Sequence, residues 1–171
     1  MKIICVTGTP GTGKTALSKK LAKKLGFYYI DVNKIISKHK LSEGYDQKRK
    51  TKVIGVGKLN KALVKVISAL TKKHINERPT QLDGIIIDSH LSHYLPRKFV
   101  DFCIVTKCDI KELNKRLKKK RFHKEKIKEN IEAEIFDVCL NEAKEQKHRT
   151  LVIDTTKGFN MNKLARQVGG N

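Results

Sequence analysis

The stretch "VTGTPGTGKT", from Val6 to Thr15, decides the fold of this chain. It follows the short apolar run "KIICV" at residues 2–6, which predicts a buried β-strand. It precedes "TALSKKLAKKL" at residues 15–25, in which apolar residues recur at helical spacing until Gly26. A flexible glycine turn would explain the glycines, but it would not explain Lys14 and Thr15 at this spacing.

Residues 8–15 fit the pattern G-x-x-x-x-G-K-[ST], in the strand–loop–helix context that this pattern requires. The glycines let the backbone curl so that successive N–H groups point at one anion. The following helix adds the partial positive charge of its N-terminus. Lys14 supplies a point charge for the β- and γ-phosphates, and the Thr15 hydroxyl is placed to coordinate Mg²⁺. The sequence therefore predicts nucleotide-phosphate binding.

The rest of the chain alternates between strand and helix patterns. This order predicts an α/β fold, with a five-stranded parallel sheet flanked by helices and ligands bound at the carboxyl ends of the strands. A mobile loop is expected at residues 41–57 and a turn region at residues 76–84. The further strands are predicted at residues 27–32, 84–90, 99–108 and 149–156, and the further helices at residues 32–40, 58–74, 109–122, 123–146 and 161–168.

A phosphate-binding loop also needs an acidic side chain on a neighbouring strand for the magnesium ion. Asp88 closes the fully apolar run "GIIID" and is the preferred candidate. Asp154 and Asp31 also end strands and stay as alternatives, and each of the three could instead cap a helix.

Two histidines follow the preferred aspartate. His90 lies two residues beyond Asp88, on the same face if the strand continues, and so it is a candidate acid–base or water-positioning group. His93 is interpreted as a surface or packing histidine, and a structural role is open for His90 as well.

The formal net charge is +21, from 38 lysines and arginines against 17 acidic residues. Such an excess indicates a polyanionic partner, which would be a nucleotide, RNA or a ribonucleoprotein particle, unless the lysines are only solvated surface. Residues 46–52 form one basic cluster and residues 116–124 the densest one. Three interpretations of the second cluster stay open: a lid that closes over the triphosphate, a solvated helix face, and an RNA contact. As a lid it would use Arg116, Lys120 and Arg121.

Length and composition limit the class of protein to which the chain can belong. A chain of 171 residues with ordinary hydrophobic content predicts one domain, and it has neither a membrane-spanning run nor a signal-peptide pattern. We therefore expect an intracellular, cytoplasmic protein with no membrane partner. No CxxC pair or zinc-like spacing occurs, which favours buried free thiols at Cys5, Cys103, Cys108 and Cys139.

Four stretches together resemble the adenylate kinase isoenzyme six family of small P-loop kinases: "TGTPGTGKT", "GYD" at residues 44–46, "IIIDSH", and the helix "KEKIKENIEAEIFDVCLNEA". The resemblance covers nearly the whole chain. It implies a P-loop NTPase fold of the nucleoside monophosphate kinase type in a single domain, residues 1–171. It also implies a monophosphate-binding segment at about residues 33–56 and a lid at about residues 119–129.

The same resemblance implies a function. Members transfer a phosphoryl group from ATP to AMP with Mg²⁺, giving two ADP, and have an accompanying ATPase activity. They also act in maturation of the small ribosomal subunit, with a platform ribosomal protein, and possibly rRNA, as partners. For this chain a monomer or weak oligomer is expected.

Site residues carry over by motif. The resemblance implies that Asp88 and His90 form an Asp-x-His pair needed for hydrolysis, with Thr15 and Asp88 as the magnesium ligands. Lys120 or Arg121 would be the nucleotide contact of the lid. The ATP phosphates would be held by Gly11, Gly13, Lys14, Thr15 and Ala16.

Several positions depart from the family pattern. The lid reads Lys120-Arg121-Phe122 instead of arginine, glycine and an aromatic residue. Glycines 55 and 57 stand where an acid is often found, Ser37 where some members have arginine, and residues 72–82 look longer than in short members. Acceptor specificity therefore stays open. The alternatives are an ATPase-driven ribosome assembly factor with weak kinase activity, and a kinase for another small molecule.

Overall fold

A computed structural model describes residues 1–47, 50–76 and 83–169, without the side chains of residues 73–76. A parallel sheet of five strands lies at its centre. The strands are β1 (Lys2–Thr7), β2 (Tyr28–Asp31), β3 (Ser42–Asp46), β4 (Thr51–Ile54), β5 (Gly84–Asp88), β6 (Phe102–Lys107) and β7 (Thr150–Asp154). The helices are α1 (Lys14–Leu25), α2 (Val32–Lys38), α3 (Val56–Asn76), α4 (Ile110–Lys119), α5 (Lys124–Ile135), α6 (Val138–Glu145) and α7 (Met161–Gly169).

The parallel sheet has the strand order β2-β5-β1-β6-β7, so β1 occupies the centre. Its register places Val6 beside Asp88 of β5 and beside Ile104 of β6. Strands β1 and β5 consist mainly of aliphatic residues, as expected for strands whose two faces are both covered by helices. The predicted five-stranded parallel sheet is confirmed, and its order brings the loop after β1 next to the end of β5.

Two hydrophobic cores fix the sheet between its helices. On one face α1 and α7 bury residues such as Leu17 and Leu164, and on the other face α2 and α3 bury residues such as Leu63. Each fully buried aliphatic side chain of this size contributes about 1.5–3 kcal/mol. A third, smaller cluster joins α4 to α5 through Leu113 and Leu117. It holds the beginning of α5 against the body of the domain.

The predicted mobile loop at residues 41–57 is wrong. Strands β3 and β4 pair there as an antiparallel hairpin, with a register irregularity between Ser42 and Gly44, and α3 already begins at Val56. A salt bridge of 3.0 Å between Lys58 Nζ and Glu43 ties this hairpin to α3. Strands of four and five residues rich in polar side chains carry little periodic signal, and the pairing depends on the partner strand.

The single long helix predicted at residues 123–146 is also wrong. Helix α5 ends at Ile135 and α6 begins at Val138, because Asp137 has a left-handed backbone (φ 53°). The Lys107 ammonium bonds both the Asp137 carboxylate and the Glu134 carbonyl, which fixes this break. The apolar face predicted for one long helix is therefore split between two helices, and Ile135 and Phe136 are exposed.

Smaller boundaries differ as well. The strand predicted to reach His90 ends at Asp88, where Ser89 N–H donates to the Val6 carbonyl and begins a turn. Residues 97–99 form a short 3₁₀ helix, so β6 starts later than predicted. Most of the predicted turn region at residues 76–84, and of the longer segment at residues 72–82, lies outside the described residues.

Cysteine burial follows the prediction for three of the four thiols. Cys5, Cys103 and Cys108 are buried and free, whereas Cys139 is half-buried. Burial raises the pKa of Cys139 and of the other three thiols, so they stay protonated at neutral pH. No helix among the described residues is both long and apolar enough to cross a bilayer.

The start of β5 gives a test of the packing between β1, β5 and the loop before β2. A Cβ at Gly84 would lie 2.4 Å from the Phe27 ring and 2.7 Å from the Lys2 carbonyl oxygen, whereas Gly57 has nothing within 4 Å. Gly84→Ala is expected to lower the free energy of unfolding by about 1–3 kcal/mol through overpacking. Gly57→Ala, in α3, is expected to leave it unchanged or raise it by up to about 1 kcal/mol. Urea denaturation measures both; equal effects would contradict the packing described.

Candidate active site

The loop between β1 and α1 has a backbone that only glycine adopts without strain. Gly8, Gly11 and Gly13 have φ values of 132°, 99° and 88°. A Cβ at Gly8 would lie 2.4 Å from the Thr106 carbonyl oxygen, and one at Gly11 would lie 2.8 Å from Leu113 Cδ1. The loop is therefore pressed against β6 and α4, and two of its glycines are needed for space as well as for conformation.

Threonine hydroxyls hold the same loop from the side of β6 and β7. Thr12 Oγ1 donates to the Thr9 carbonyl at 2.8 Å and shares a hydrogen bond of 2.6 Å with Thr106 Oγ1. Thr155 Oγ1 donates to the Thr12 carbonyl at 2.6 Å. The loop carbonyls of Thr9 and Thr12 thus accept hydrogen bonds from threonine hydroxyls. This arrangement fits a cradle in which backbone N–H groups bind an anion.

Lys14 lies half-buried at the first position of α1. Its ammonium donates to the carbonyls of Gly8 and Thr9 at 2.7 and 2.9 Å. Burial lowers the pKa of Lys14 to about 8, although the nearby Asp88 carboxylate favours the charged form. Its ammonium, desolvated in this way, would gain more from a phosphate anion than an exposed lysine would.

Asp88 lies at the end of β5, in register with Val6 at the end of β1. The carboxylate is 3% exposed; its Oδ2 accepts a hydrogen bond of 2.8 Å from Tyr29, and its Oδ1 is buried without a partner among the described residues. Burial and this carboxylate raise the pKa of the Tyr29 hydroxyl, which therefore remains a donor. An unpartnered buried carboxylate oxygen is costly, and a divalent cation would satisfy it.

The other two aspartates are used differently. Asp31 is the N-cap of α2 and accepts a hydrogen bond of 2.9 Å from the Asn33 N–H. Asp154 accepts from the backbone and the hydroxyl of Thr156, which lowers the pKa of its carboxyl. Asp154 also ends β7, and β6 separates that strand from β1. Both carboxylates thus have local partners, which favours Asp88 as the magnesium ligand.

His90 lies in the turn after β5 and lines a cavity; the residue keeps solvent-accessible surface, while protein atoms surround much of the imidazole. Neighbouring protein atoms desolvate the imidazole, and this together with the charge of Lys14 lowers the pKa of His90 to about 4. The ring is therefore neutral at pH 7, and one of its nitrogens can accept a hydrogen bond while the other donates one. His93 is buried, as the packing interpretation predicts, between Thr7 Oγ1 at 2.6 Å and Glu142 at 3.0 Å.

The cavity beside the phosphate-binding loop has a volume of about 830 Å³, within the usual range for small-molecule sites. One wall is formed by α2 and the β3–β4 hairpin, and the opposite wall by α5 and α6. Thr9, Pro10 and His90 connect the two walls. Its lining carries both charges, through Lys50, Lys52, Lys126, Glu129 and Glu142.

The cations predicted to form a lid occupy different places. Arg116 donates to Glu112 at 2.9 Å and to the Thr155 carbonyl at 3.1 Å, and so it braces the loop after β7 and does not line the cavity. Lys120 directly follows α4, and its positive charge contributes to the lowered pKa of Lys14. Arg121 is exposed with φ 56°, a left-handed conformation that glycine adopts more easily.

Some residues of the site have no signal in the sequence. Tyr29 bonds Asp88, and Thr155 bonds the phosphate-binding loop, from strands distant in the chain. Lys126 of α5 donates to Thr51 Oγ1 of β4 at 3.2 Å, and its ammonium lies 5.0 Å from the centre of the Phe122 ring. This contact joins the two walls of the cavity. Only a knowledge of strand order and helix placement could have identified these pairs.

Comparison with known proteins agrees with this geometry. A family model described as an AAA domain matches residues 4–137. The chain is 34% identical, over 150 residues, to the adenylate kinase isoenzyme 6 homolog of Caenorhabditis elegans, covering 87% of this chain and 76% of that protein. It is 38% identical over 153 residues to the "Putative adenylate kinase" of Methanocaldococcus jannaschii, covering 90% and 76%. The chain belongs to the adenylate kinase isoenzyme 6 family.

Solved structures extend the comparison to the fold. Deoxyadenosine kinase from M. mycoides with bound dATP superposes with a TM-score of 0.53 and 18% identity, covering 96% of this chain and 99% of that one. The structure of a "putative kinase" from Chloroflexus aurantiacus superposes with a TM-score of 0.53 and 16% identity, covering 98% of this chain and 96% of that one. These likenesses show the P-loop NTPase fold. The nucleotide kinase function is supported by the relatives of 34% and 38% identity, whose names are those of adenylate kinases.

The environment of His90 predicts an unusual titration. In ¹H–¹³C NMR spectra, His90 should titrate with a midpoint near pH 4, well below the value of about 6.5 for free imidazole. Lys14→Met should move the midpoint upward, because it removes a positive charge that disfavours the imidazolium. The sign follows from linkage: the folded state binds this proton less readily, so His90 reduces stability as pH falls from about 6.5 toward 4. An unshifted midpoint would contradict the described environment.

Proposed function

We propose that this chain is a magnesium-dependent adenylate kinase that transfers the γ-phosphoryl group of ATP to AMP, giving two ADP. The observation that carries the proposal is the large cavity that opens beside the phosphate-binding loop, between the wall of α2 and the hairpin and the wall of α5 and α6. A donor nucleotide on the loop and an acceptor between the walls would meet at the loop. The names of the related proteins from Caenorhabditis and Methanocaldococcus support adenylate as the acceptor.

The donor phosphates would be held mainly by backbone. The glycine conformations at Gly11 and Gly13 turn the loop toward α1, whose first N–H groups have no partner within the helix. We assign Lys14 to the β- and γ-phosphates, and the N–H groups of Thr15 and Ala16 to the same anion. Removing the Lys14 charge would leave the developing negative charge of the transition state uncompensated, at a cost of about 2.7–4 kcal/mol.

Magnesium fits the oxygen donors at the end of β5. The exposed Thr15 hydroxyl and the unpartnered Oδ1 of Asp88 would hold the ion, with Tyr29 orienting the carboxylate through Oδ2. When bound, Mg²⁺ supplies neutralisation of the phosphate charge. The protein then contributes position and charge, and the acceptor phosphate is itself the attacking group. No covalent nucleophile is needed.

The acceptor would bind in the cavity against the wall formed by residues 33–56. Asn33, Ile36, Ser37, Tyr45 and Ile54 line it. Residues 119–129 would act as the lid, and the left-handed conformation of Arg121 favours Lys120 as its nucleotide contact. The hydrogen bond between Lys126 of α5 and Thr51 of β4 would hold the lid against the hairpin of the acceptor wall. Such closure would exclude water during transfer.

A second candidate is ATP hydrolysis, favoured by the neutral imidazole of His90 near Lys14. A neutral imidazole beside the loop can orient an attacking water molecule through a hydrogen bond, although its lowered pKa makes it a weak base. Such an ATPase could serve maturation of the small ribosomal subunit. That role, its protein and rRNA partners, and the monomeric state stay predictions, as does another small-molecule acceptor.

The proposal is tested by quantifying ADP and phosphate from ATP and Mg²⁺, with and without AMP. We expect AMP to increase ADP formation strongly, with two ADP formed per AMP consumed. Lys14→Met should lower the rate about 10²–10³-fold, and Lys24→Met, an exposed residue of α1, should not change it. His90→Ala should abolish hydrolysis while transfer continues.

Two outcomes would contradict the assignment as an adenylate kinase. One is slow ADP and phosphate formation that is independent of AMP and vanishes in His90→Ala, which would make the protein chiefly an ATPase. The other is faster turnover with an acceptor other than AMP in a screen of nucleosides and nucleotides, which would keep the transfer mechanism and replace the substrate.

A further inference from the structure

A second concave surface lies between the end of α2 and the first half of α3. We refer to it as the α2–α3 groove; its volume is about 570 Å³, and it shares no lining residue with the cavity beside the phosphate-binding loop. It is lined by Lys38, His39, Leu41, Lys58, Lys61, Ala62, Lys65, Val66 and Ala69. Lys38, His39 and Leu41 belong to the acceptor segment at residues 33–56 but do not line its cavity, and the other groove residues have no role assigned above.

The rim and the floor of the α2–α3 groove differ in chemistry. Lys61 and Lys65 lie one turn apart and form a basic edge along α3; Lys58 precedes them, and its ammonium is paired with Glu43 of the hairpin. Lys38 and His39 form the opposite edge, where α2 ends. The described lining contains no acidic or arginine side chain, so the charged groups of the lining are all positive, and its one aromatic ring is the imidazole of His39 at the edge.

The floor of the groove is apolar and firmly supported. Leu41, Ala62 and Val66 are partly buried and pack against the core that α2 and α3 share with the sheet. Ala69 continues the floor one turn further along α3. The aliphatic stems of the lysines add apolar surface above it. A ligand that matches this surface needs negative charges at its edges and aliphatic groups between them.

We propose that the α2–α3 groove binds an acidic peptide segment whose carboxylates contact the lysine edges and whose aliphatic side chains contact Leu41, Ala62 and Val66. Charge complementarity supplies the attraction, and the net charge of +21 steers such a partner toward the protein. The apolar floor gives specificity, because an anion without aliphatic groups leaves it uncovered.

A nucleic acid fits this groove less well. Single-stranded binding sites combine basic residues with aromatic rings on which bases stack, and RNA readers also use the planar guanidinium of arginine. The lysines offer only point charges, and the floor offers no flat ring. Phosphates could reach the lysines, but the bases would have no complementary surface.

The test is fluorescence anisotropy with labelled probes of equal charge, at moderate and at raised salt. The probes are a short peptide of Glu-Glu-Leu repeats, oligoglutamate and oligouridine RNA. We expect the Glu-Glu-Leu peptide to bind at least tenfold more tightly than oligoglutamate or the RNA, with binding that weakens as salt rises.

Two double variants with the same charge change and the same helical spacing locate the site. Lys61→Glu with Lys65→Glu should weaken peptide binding at least tenfold. Lys20→Glu with Lys24→Glu, on α1 at the other face of the sheet, should weaken it by less than threefold. Val66→Thr, which keeps the shape of the floor and adds a hydroxyl, should weaken the mixed peptide and leave oligoglutamate unchanged. Circular dichroism and phosphoryl-transfer assays check that each variant is folded.

Three results would overturn the proposal. Equal binding of oligoglutamate and the mixed peptide would show that the floor contributes nothing. Equal loss in the two double variants would show a general effect of net charge. Tighter binding of the RNA, lost with Lys61→Glu and Lys65→Glu, would make the groove a nucleic-acid site.

Discussion

The close approach of the phosphate-binding loop to β6 and α4 is the constraint on which the rest of the site depends. At Gly8 and Gly11 a Cβ would overlap the Thr106 carbonyl or the Leu113 side chain, so the loop keeps its curl only while both neighbours stay in place. Because β1 is central, the ends of β5 and β6 lie on either side of this loop. The hydrophobic cores therefore position Asp88 beside the loop, although that residue lies far from it in the chain.

Prediction from the sequence succeeds where the signal is local and fails where it depends on distant partners. The apolar runs of β1 and β5, and the pattern from Gly8 to Thr15, identify the strands, the sheet type and the loop because each is encoded within a few residues. The hairpin β3–β4 and the break at Asp137 were missed, since strand pairing fixes the first and Lys107 of a distant strand fixes the second. The bonds from Tyr29 to Asp88 and from Lys126 to Thr51 follow from tertiary packing.

The large positive charge serves two surfaces of different character. The cavity beside the phosphate-binding loop mixes Lys126 with Glu129 and Glu142, and so it suits a nucleotide that presents both an anion and a polar base. The α2–α3 groove has basic edges and an aliphatic floor. Helix α2 contributes residues to both surfaces, whereas α3 lines only the groove, and no described residue lines both. Binding in the groove can thus be separated experimentally from phosphoryl transfer.

The proposed function requires the nucleotide to bind on the loop between β1 and α1. ¹H–¹⁵N NMR spectra of the full chain, recorded while a non-hydrolysable ATP analogue and Mg²⁺ are added, test it most directly. We expect nucleotide binding to cause the largest amide shifts at residues 11–16. Smaller shifts are expected along residues 119–129, and none at Lys61 or Lys65. The largest shifts on the α2–α3 groove, with the loop amides unmoved, would contradict it.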